Sequence, residues 1–327
     1  MVANAEEMID RRRLRRKLSF WRIVAVVVVA LAVLAIPLLA GYPKAIPSAG
    51  GGQIARVAIE GMILEDRKLL DLLDRLKQED NVKAVVLRID SPGGTTVGGE
   101  SIYQAVRDIA ETKPVVAEVG TLAASAAYMI AAGTDRIVAR RTSIVGSIGV
   151  IFQYVNAEKL LDTVGVEVNA IKSGPLKAEP SPFGPPPEEA KEMINRLVMD
   201  TYDWFVDLVA ERRNLSVGEV RRLADGSIFS GRQGLERQLV DELGGEEAVR
   251  RWLEEEREIE AGLDFVDRKP EEPFSWSMLA SVRGTVYGWL GLDPRAGSID
   301  KALLMKTGHL DGLVSLWQPF DSRTKVR

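Results

Sequence analysis

Apolar positions along the middle of the chain switch between the spacing of strands and that of helices. IARVAIEGMI (54–63) reads as a strand, and DRKLLDLLDRLKQ (66–78) carries its leucines at helical spacing. VKAVVLRI (82–89) is a continuous apolar, β-branched run of the kind found in strands buried on both faces. The alternation repeats. GGESIYQAVRDIAE (98–111) and SAAYMIAAG (125–133) read as helices, and PVVAEV (114–119), RIVAR (136–140), SIGVIF (147–152) and VEVNAI (166–171) as strands. The fold class this predicts is α/β, with a parallel sheet, helices on both faces and ligand sites at the carboxyl ends of the strands.

SGPLKAEPSPFGPPPEE (173–189) then gathers six of the chain's fifteen prolines into one stiff loop, a kind of segment that often carries function. EEAKEMINRLVMDTYDWFVDLVAERRN (188–214) places Ile194, Leu197, Val198, Tyr202, Phe205 and Leu208 along one helical face, as expected for packing on a core or a subunit. DGSIFSGRQGLERQLVDELGG (225–245) reads as a structural turn-helix-turn. Residues 263–327 scatter Phe274, Trp276, Met278, Tyr287, Trp289 and Trp317 among short glycine-broken pieces, which reads as a C-terminal amphipathic segment for lipid or subunit contact, or else as a plain appendage of the core.

The amino end changes the picture. IVAVVVVALAVLAIPLLAGY (23–42) holds no charge and, at 1.5 Å per residue, reaches about 30 Å, the thickness of a bilayer core. The basic RRRLRRK before it and the sparsely charged stretch after it keep the amino end in the cytoplasm and export the rest. The organisation expected is a basic cytoplasmic tail (1–19), a transmembrane helix (20–42), a flexible tether (43–53), a main domain (54–262) and the C-terminal segment (263–327). A cleaved signal peptide ending near Ala40–Gly41 is the competing reading of the same run.

Composition then removes chemistries. The net charge of -4 gives no reason to expect nucleic acid. Without cysteine, and with His309 as the one histidine, the usual zinc ligand sets and a cysteine nucleophile are excluded. A Gly-Lys dipeptide, and with it a phosphate-binding P-loop, is absent. His309 lies far along the chain from the α/β region, in KTGHLDG, which leaves lysine as the base for any activated serine.

Ser125 is a lone hydroxyl among four alanines, at the point where a strand gives way to a small-residue helix. There it serves either as an N-cap or as a nucleophile beside the positive end of the helix. In RIDSPGGTTVGG (88–99), Gly93 and Gly94 form either a plain tight turn or donors aimed at an oxyanion. Lys177 sits in the proline-stiffened loop beside Leu176, Pro180 and Phe183, a setting able to desolvate an amine, with Lys172 as its rival. Ser147, in TSIVGSIGVIF (142–152), is either a turn serine or a partner for that amine.

Taken in order, DSPGG, AASAAYMIAAGTDRIVA, TSIVGSIGVIF, IKSGPLKAEPSPF and DGSIFSGRQGLERQLVDELGG resemble the signal peptide peptidase A family of membrane-anchored serine proteases, in its short, single-domain form, over about residues 54 to 250. The resemblance implies a ClpP/crotonase-like fold and a Ser/Lys dyad without cofactor or metal. In it Ser125 is the nucleophile, Lys177 the general base and Ser147 the residue orienting the lysine, while Gly93 or Gly94 with the Ser125 N–H forms the oxyanion hole. It further implies remnant signal peptides as substrates and residence in the bacterial inner membrane with the protease domain outside the cytoplasm. Homo-oligomers would share serine and lysine between subunits. Ala126 and Ala127 stand where family members often have two glycines, which puts substrate preference in doubt more than activity. Two other readings fit the same fold: a crotonase-like acyl-CoA enzyme, and an oligomeric membrane scaffold that has lost turnover.

Overall fold

The computed structural model describes Trp21, residues 52–270 and the backbone of residues 314–316. The chain divides into two units, Met1–Gly51 and Gly52–Arg327, and all elements named below belong to the second. The transmembrane span, most of the tether, His309 and the aromatics of the C-terminal segment lie outside the described residues, Trp21 excepted. Among the described residues no helix is long and apolar enough to cross a membrane.

A parallel-rich sheet organises the second unit. Strands β1 (Gln53–Ile63), β2 (Val82–Thr95) and β3 (Val115–Ala124) lie side by side in parallel, with β8 (Phe265–Arg268) parallel along the outer edge of β1. β3 forks. Its first half, Val116–Val119, pairs with β4 (Arg136–Ala139), and its last residues, Leu122–Ala124, pair with β5 (Ile144–Gly146). β7 (Glu242–Leu243) extends the sheet beyond β4 in parallel, and β6 (Ile228–Ser230) pairs antiparallel with β5. β9 (Val314–Leu316) lies antiparallel along Gly93–Thr95 of β2. The fork is held by Ser143, whose hydroxyl donates to the Gly120 carbonyl at 2.6 Å and accepts the Arg140 N–H at 3.0 Å, bridging the two strands where they part.

Helices cover both faces, as the alternating periods predict. α1 (Arg67–Gln78), capped by Asp66, buries Leu69, Leu72, Leu73 and Leu76. α2 (Thr96–Ala110), the short α3 (Ala126–Ala132) and the carboxyl half of α5 (Glu188–Arg213) complete that layer. On the other face α8 (Glu246–Glu255) sets Val249, Trp252 and Leu253 against Ile54, Val86 and Val138. This is the ClpP-like arrangement that the resemblance implied.

Several expectations are corrected. SIGVIF is not a strand: β5 ends at Gly146, before it. VEVNAI is not one either. A strand needs a neighbour for its backbone groups, and none flanks residues 166–171, so Val166, Val168 and Ile171 stand exposed. α4 (Glu158–Val164) forms where no helix was expected and buries none of its residues. The 225–245 segment holds α7 (Gly231–Glu236) between two sheet strands instead of being a plain turn-helix-turn, and it follows the short α6 (Val217–Leu223).

α3 is fastened to this segment by a single buried phenol. Tyr128 is fully buried, burial pushes its phenol above the ordinary range, and its hydroxyl donates to the Leu239 carbonyl at 2.9 Å. Tyr128→Phe, which strands that carbonyl, is expected to cost about 1–3 kcal/mol, read as a lower denaturant midpoint with an unchanged slope.

Candidate active site

β2 does not stop at the expected Pro-Gly-Gly turn. It continues through Thr95 with a local irregularity, and the β1–β2 register slips between Glu60 and Met62. Fully buried Ser91 fixes the kink: its hydroxyl donates to the Gly61 carbonyl at 2.6 Å and accepts the Gly93 N–H at 3.1 Å. Gly93 lies at φ 104°, in the left-handed region that glycine enters without penalty. A Cβ on Gly94 would fall 1.8 Å from the Ile63 carbonyl oxygen, so only glycine lets the two backbones approach so closely. Ser91 thus occupies the Gly93 N–H, while Gly94 pairs with Ile63 of β1 on one side and with Ser315 of β9 on the other.

Ser125 joins β3 to α3. It is 1% exposed and sits at φ 59°, ψ -121°. An L-residue held in so sparsely populated a region costs about 1–3 kcal/mol. The N-cap reading fails, because the side chain makes no capping hydrogen bond to the helix. The main-chain N–H of Ser125 donates to the Gly146 carbonyl at 2.8 Å. That amide is engaged in the sheet, and the N–H groups of Ala126 and Ala127, next along the helix start, have no intrahelical acceptor. The side chains of both alanines are fully buried, and the Ala126 methyl faces Gly99, away from the cavity. Neither alanine lines the cavity beside Ser125.

Ser147 mirrors Ser125. Ala124 and Gly146 are register partners in β3 and β5, so the two serines leave adjacent parallel strand ends side by side. Ser147 is also buried, at φ 50°, and its N–H donates to the Ser227 carbonyl at 2.8 Å. Both serines line one cavity of about 540 Å³, walled by Ile151, Met199, Tyr202 and Asp225. Its polar groups are the two serines, the Tyr202 phenol and Asp225, which Ser227 holds below the usual carboxylate range by hydrogen bonding.

Lys177 is not among the residues of this cavity. It is exposed, on a turn closed by its own N–H to the Gly174 carbonyl at 3.2 Å. The structure brings Ser125, Ser147 and Gly94 to one end of the sheet and leaves the lysine outside within a single chain. Between Gly149 and Glu189 no residue is buried, and Val155, Leu160, Val164 and Ile171 present their side chains to solvent. The rival Lys172 is committed to an ion pair with Glu179, whose carboxylate also accepts the Ser181 N–H. That pairing makes Lys172 a brace for the loop rather than a free amine. Ser91 and the Ala126 N–H were missed from sequence; the signal for the latter was its place just after the serine at a helix start. Among the described residues no cluster of His, Cys, Asp or Glu could hold a metal ion.

Comparison with known proteins places the chain among peptidases. Residues 107–260 match peptidase family S49. A Methanocaldococcus jannaschii protein named as a protease is 39% identical over 221 residues, covering 63% of this chain and 71% of its own. An Enterococcus faecium protein named as a signal peptide peptidase is 32% identical, over 75% of this chain and 71% of its own. A chloroplastic serine protease of Arabidopsis thaliana is 32% identical over 60% of this chain and 30% of its own.

Two outcomes follow from the site's geometry. Ser125→Gly relieves the backbone strain that Ser125→Ala retains, so the glycine variant should be the more stable of the two by about 1 kcal/mol in matched denaturant titrations. The side-chain hydrogen bond from Lys172 holds Glu179 below its ordinary carboxylate range. Stability from that pair is therefore present above the unfolded carboxylate value and lost only as pH falls through the lower folded value. Hydrogen exchange across 172–183 should stay slow through the ordinary carboxylate range and quicken below it, whereas Glu179→Gln should quicken it at neutral pH.

Proposed function

Because the chain belongs to peptidase family S49, in the signal peptide peptidase A group, and is a serine protease, we propose that Ser125 is its nucleophile and Lys177 of a neighbouring copy its general base. The observation that carries this reading is the strained, uncapped and buried turn at Ser125, set beside Ser147 and the Gly94 strand. A neutral Lys177 amine takes the Ser125 proton, and the serine oxygen attacks the scissile carbonyl to give a tetrahedral oxyanion. The N–H groups of Ala126 and Gly94 receive that charge as it develops. Lys177 then gives its proton to the departing amine, and water attacks the acyl-serine to complete hydrolysis.

The lysine arrives from another copy because its own arm, residues 149–189, has no buried residue to hold it in place within one chain. Apolar side chains left in water cost about 25 cal/mol for each Å², and Val155, Leu160, Val164 and Ile171 form a ready contact for a second copy. Ser147 orients the incoming amine. Its position beside Ser125, on the same cavity, suits that role.

Substrates are remnant signal peptides and other membrane-associated peptides. They bind as extended chains beside Gly93–Thr95, an edge that accepts an antiparallel strand: Val314–Leu316 of this chain lies there. Small or apolar side chains suit the cavity next to Ser125. Residues 20–42 anchor the enzyme in the membrane, with the protease domain outside the cytoplasm.

Fluorophosphonate labelling of the full chain should fall to background in Ser125→Ala and in Lys177→Ala. Coexpressing the two variants should restore part of the activity, since one mixed site keeps both groups. Labelling that persists in Ser125→Ala would overturn the nucleophile assignment, and the absence of any recovery on coexpression would place the lysine in the same chain as its serine.

A further inference from the structure

α3, the helix that starts at Ser125, has seven residues, all of them buried, with no acidic residue in its first turn and no basic residue in its last. The Gly133 N–H meets the Met129 and Ile130 carbonyls and the Thr134 N–H meets that of Ala131, which leaves the Ala132 carbonyl and those of Gly133 and Thr134 just beyond it to donors from other elements. Two guanidinium groups converge there. Arg212, next to last in α5, donates from Nε to the Ala132 carbonyl at 3.1 Å and from Nη2 to the Thr134 carbonyl at 3.4 Å. Arg107, in the last turn of α2, donates from Nη1 to the Gly133 carbonyl at 2.9 Å. The Thr134 hydroxyl takes the Ala131 carbonyl at 2.7 Å and closes the set.

We propose that Arg107 and Arg212 are positioning residues for the Ser125 nucleophile, holding it through the far end of the helix that it begins. The inference rests on the assignment of Ser125 as nucleophile. Seven residues span about 10 Å, and a helix buried on every side moves as a rod, so a shift of its carboxyl end is delivered to Ser125 and to the Ala126 N–H.

The same clamp joins two halves of the site. α2 begins directly after the Gly94 strand, with Thr95 as its cap, and ends at Arg107. Arg107 thus ties the far end of the helix that follows the oxyanion glycine to the far end of the helix that follows the nucleophile. Its own place is set by Asp135, 3.9 Å away. Arg212 adds the long α5 to the same point. Burial of these cations has a cost that carbonyls alone repay incompletely, and Arg212 is held below the ordinary guanidinium range mainly by desolvation. Two cations also favour the negative end of the α3 dipole.

The test compares wild type, Arg107→Met, Arg107→Lys, Arg212→Met and Arg212→Lys in the full chain, reading peptide kcat and KM and the second-order rate of fluorophosphonate labelling per folded molecule. The methionine variants should lower kcat and the labelling rate about tenfold, the scale expected when a reacting group is misplaced by a fraction of an ångström. KM should stay within about twofold, and the lysine variants should recover part of the loss. A drop in melting temperature with labelling per folded molecule unchanged would reduce both arginines to structural caps and overturn the inference. If Arg212→Met does not fold, the Arg107 pair, on a side chain 26% exposed, decides alone. Labelling that survives Ser125→Ala would instead break the underlying nucleophile assignment, so the two failures read differently.

Discussion

The site depends on the backbone at one residue. Ser125 is held at a φ of 59° by the bond from its N–H to the Gly146 carbonyl, which continues the β3–β5 ladder one step past the last paired residues. Such a conformation persists only where its surroundings over-determine it. Here the sheet grips it from one side, and α3, locked in the core with Tyr128 bonded to Leu239, grips it from the other. The fork in β3 supplies the room: by leaving β4 and taking β5 as its neighbour, the strand carries its end to where Ser147 also emerges.

Burial divides the chain into two kinds of structure. Ser125 and the Gly94 strand stand on the packed core, whose geometry is set by interlocking side chains. The proline-rich arm between Gly149 and Glu189 is instead held by its own short-range bonds, such as Lys172 to Glu179 and the Gly174–Lys177 turn. Under the proposed mechanism the base on such an arm takes its placement from a second surface, so that catalysis would be coupled to assembly.

Much of this was legible in sequence where the determinants are local. Period and β-branching gave the β1–α1–β2 unit, α2, β3, β4 and α5, because each buries a face its own spacing defines. Ser125 stood out as a hydroxyl in an alanine run and Gly94 as one of two glycines after a strand, although the close approach of Ile63 that requires Gly94 shows only in the structure. What failed was non-local. VEVNAI alternates like a strand, but pairing depends on a free neighbouring edge, and none is there. DSPGG reads as a turn, and only the approach of β1 and the Ser91 bridge to Gly61 show it to be a kinked strand. Whether the Ser125 amide was free could not be read either, since its acceptor, Gly146, belongs to a strand that returns 21 residues later.

The composition of α3 follows from the same constraint. A helix passing this close to α2 needs small side chains: a Cβ on Gly99 would come within 3.0 Å of the Ala126 methyl, and one on Gly133 within 2.8 Å of the Tyr103 ring. Alanine is also the best intrinsic helix former, which suits a helix too short to hold itself by length alone. The same crowding keeps charged residues out of α3, since none could reach water from a fully buried helix. Charge at its carboxyl end therefore has to be brought by neighbours that start at the surface, and Arg107 and Arg212 reach it from helices whose outer faces are solvated. The alanine run that first drew attention to Ser125 and the two distant arginines are thus consequences of one requirement, a short buried helix aimed at a strained serine.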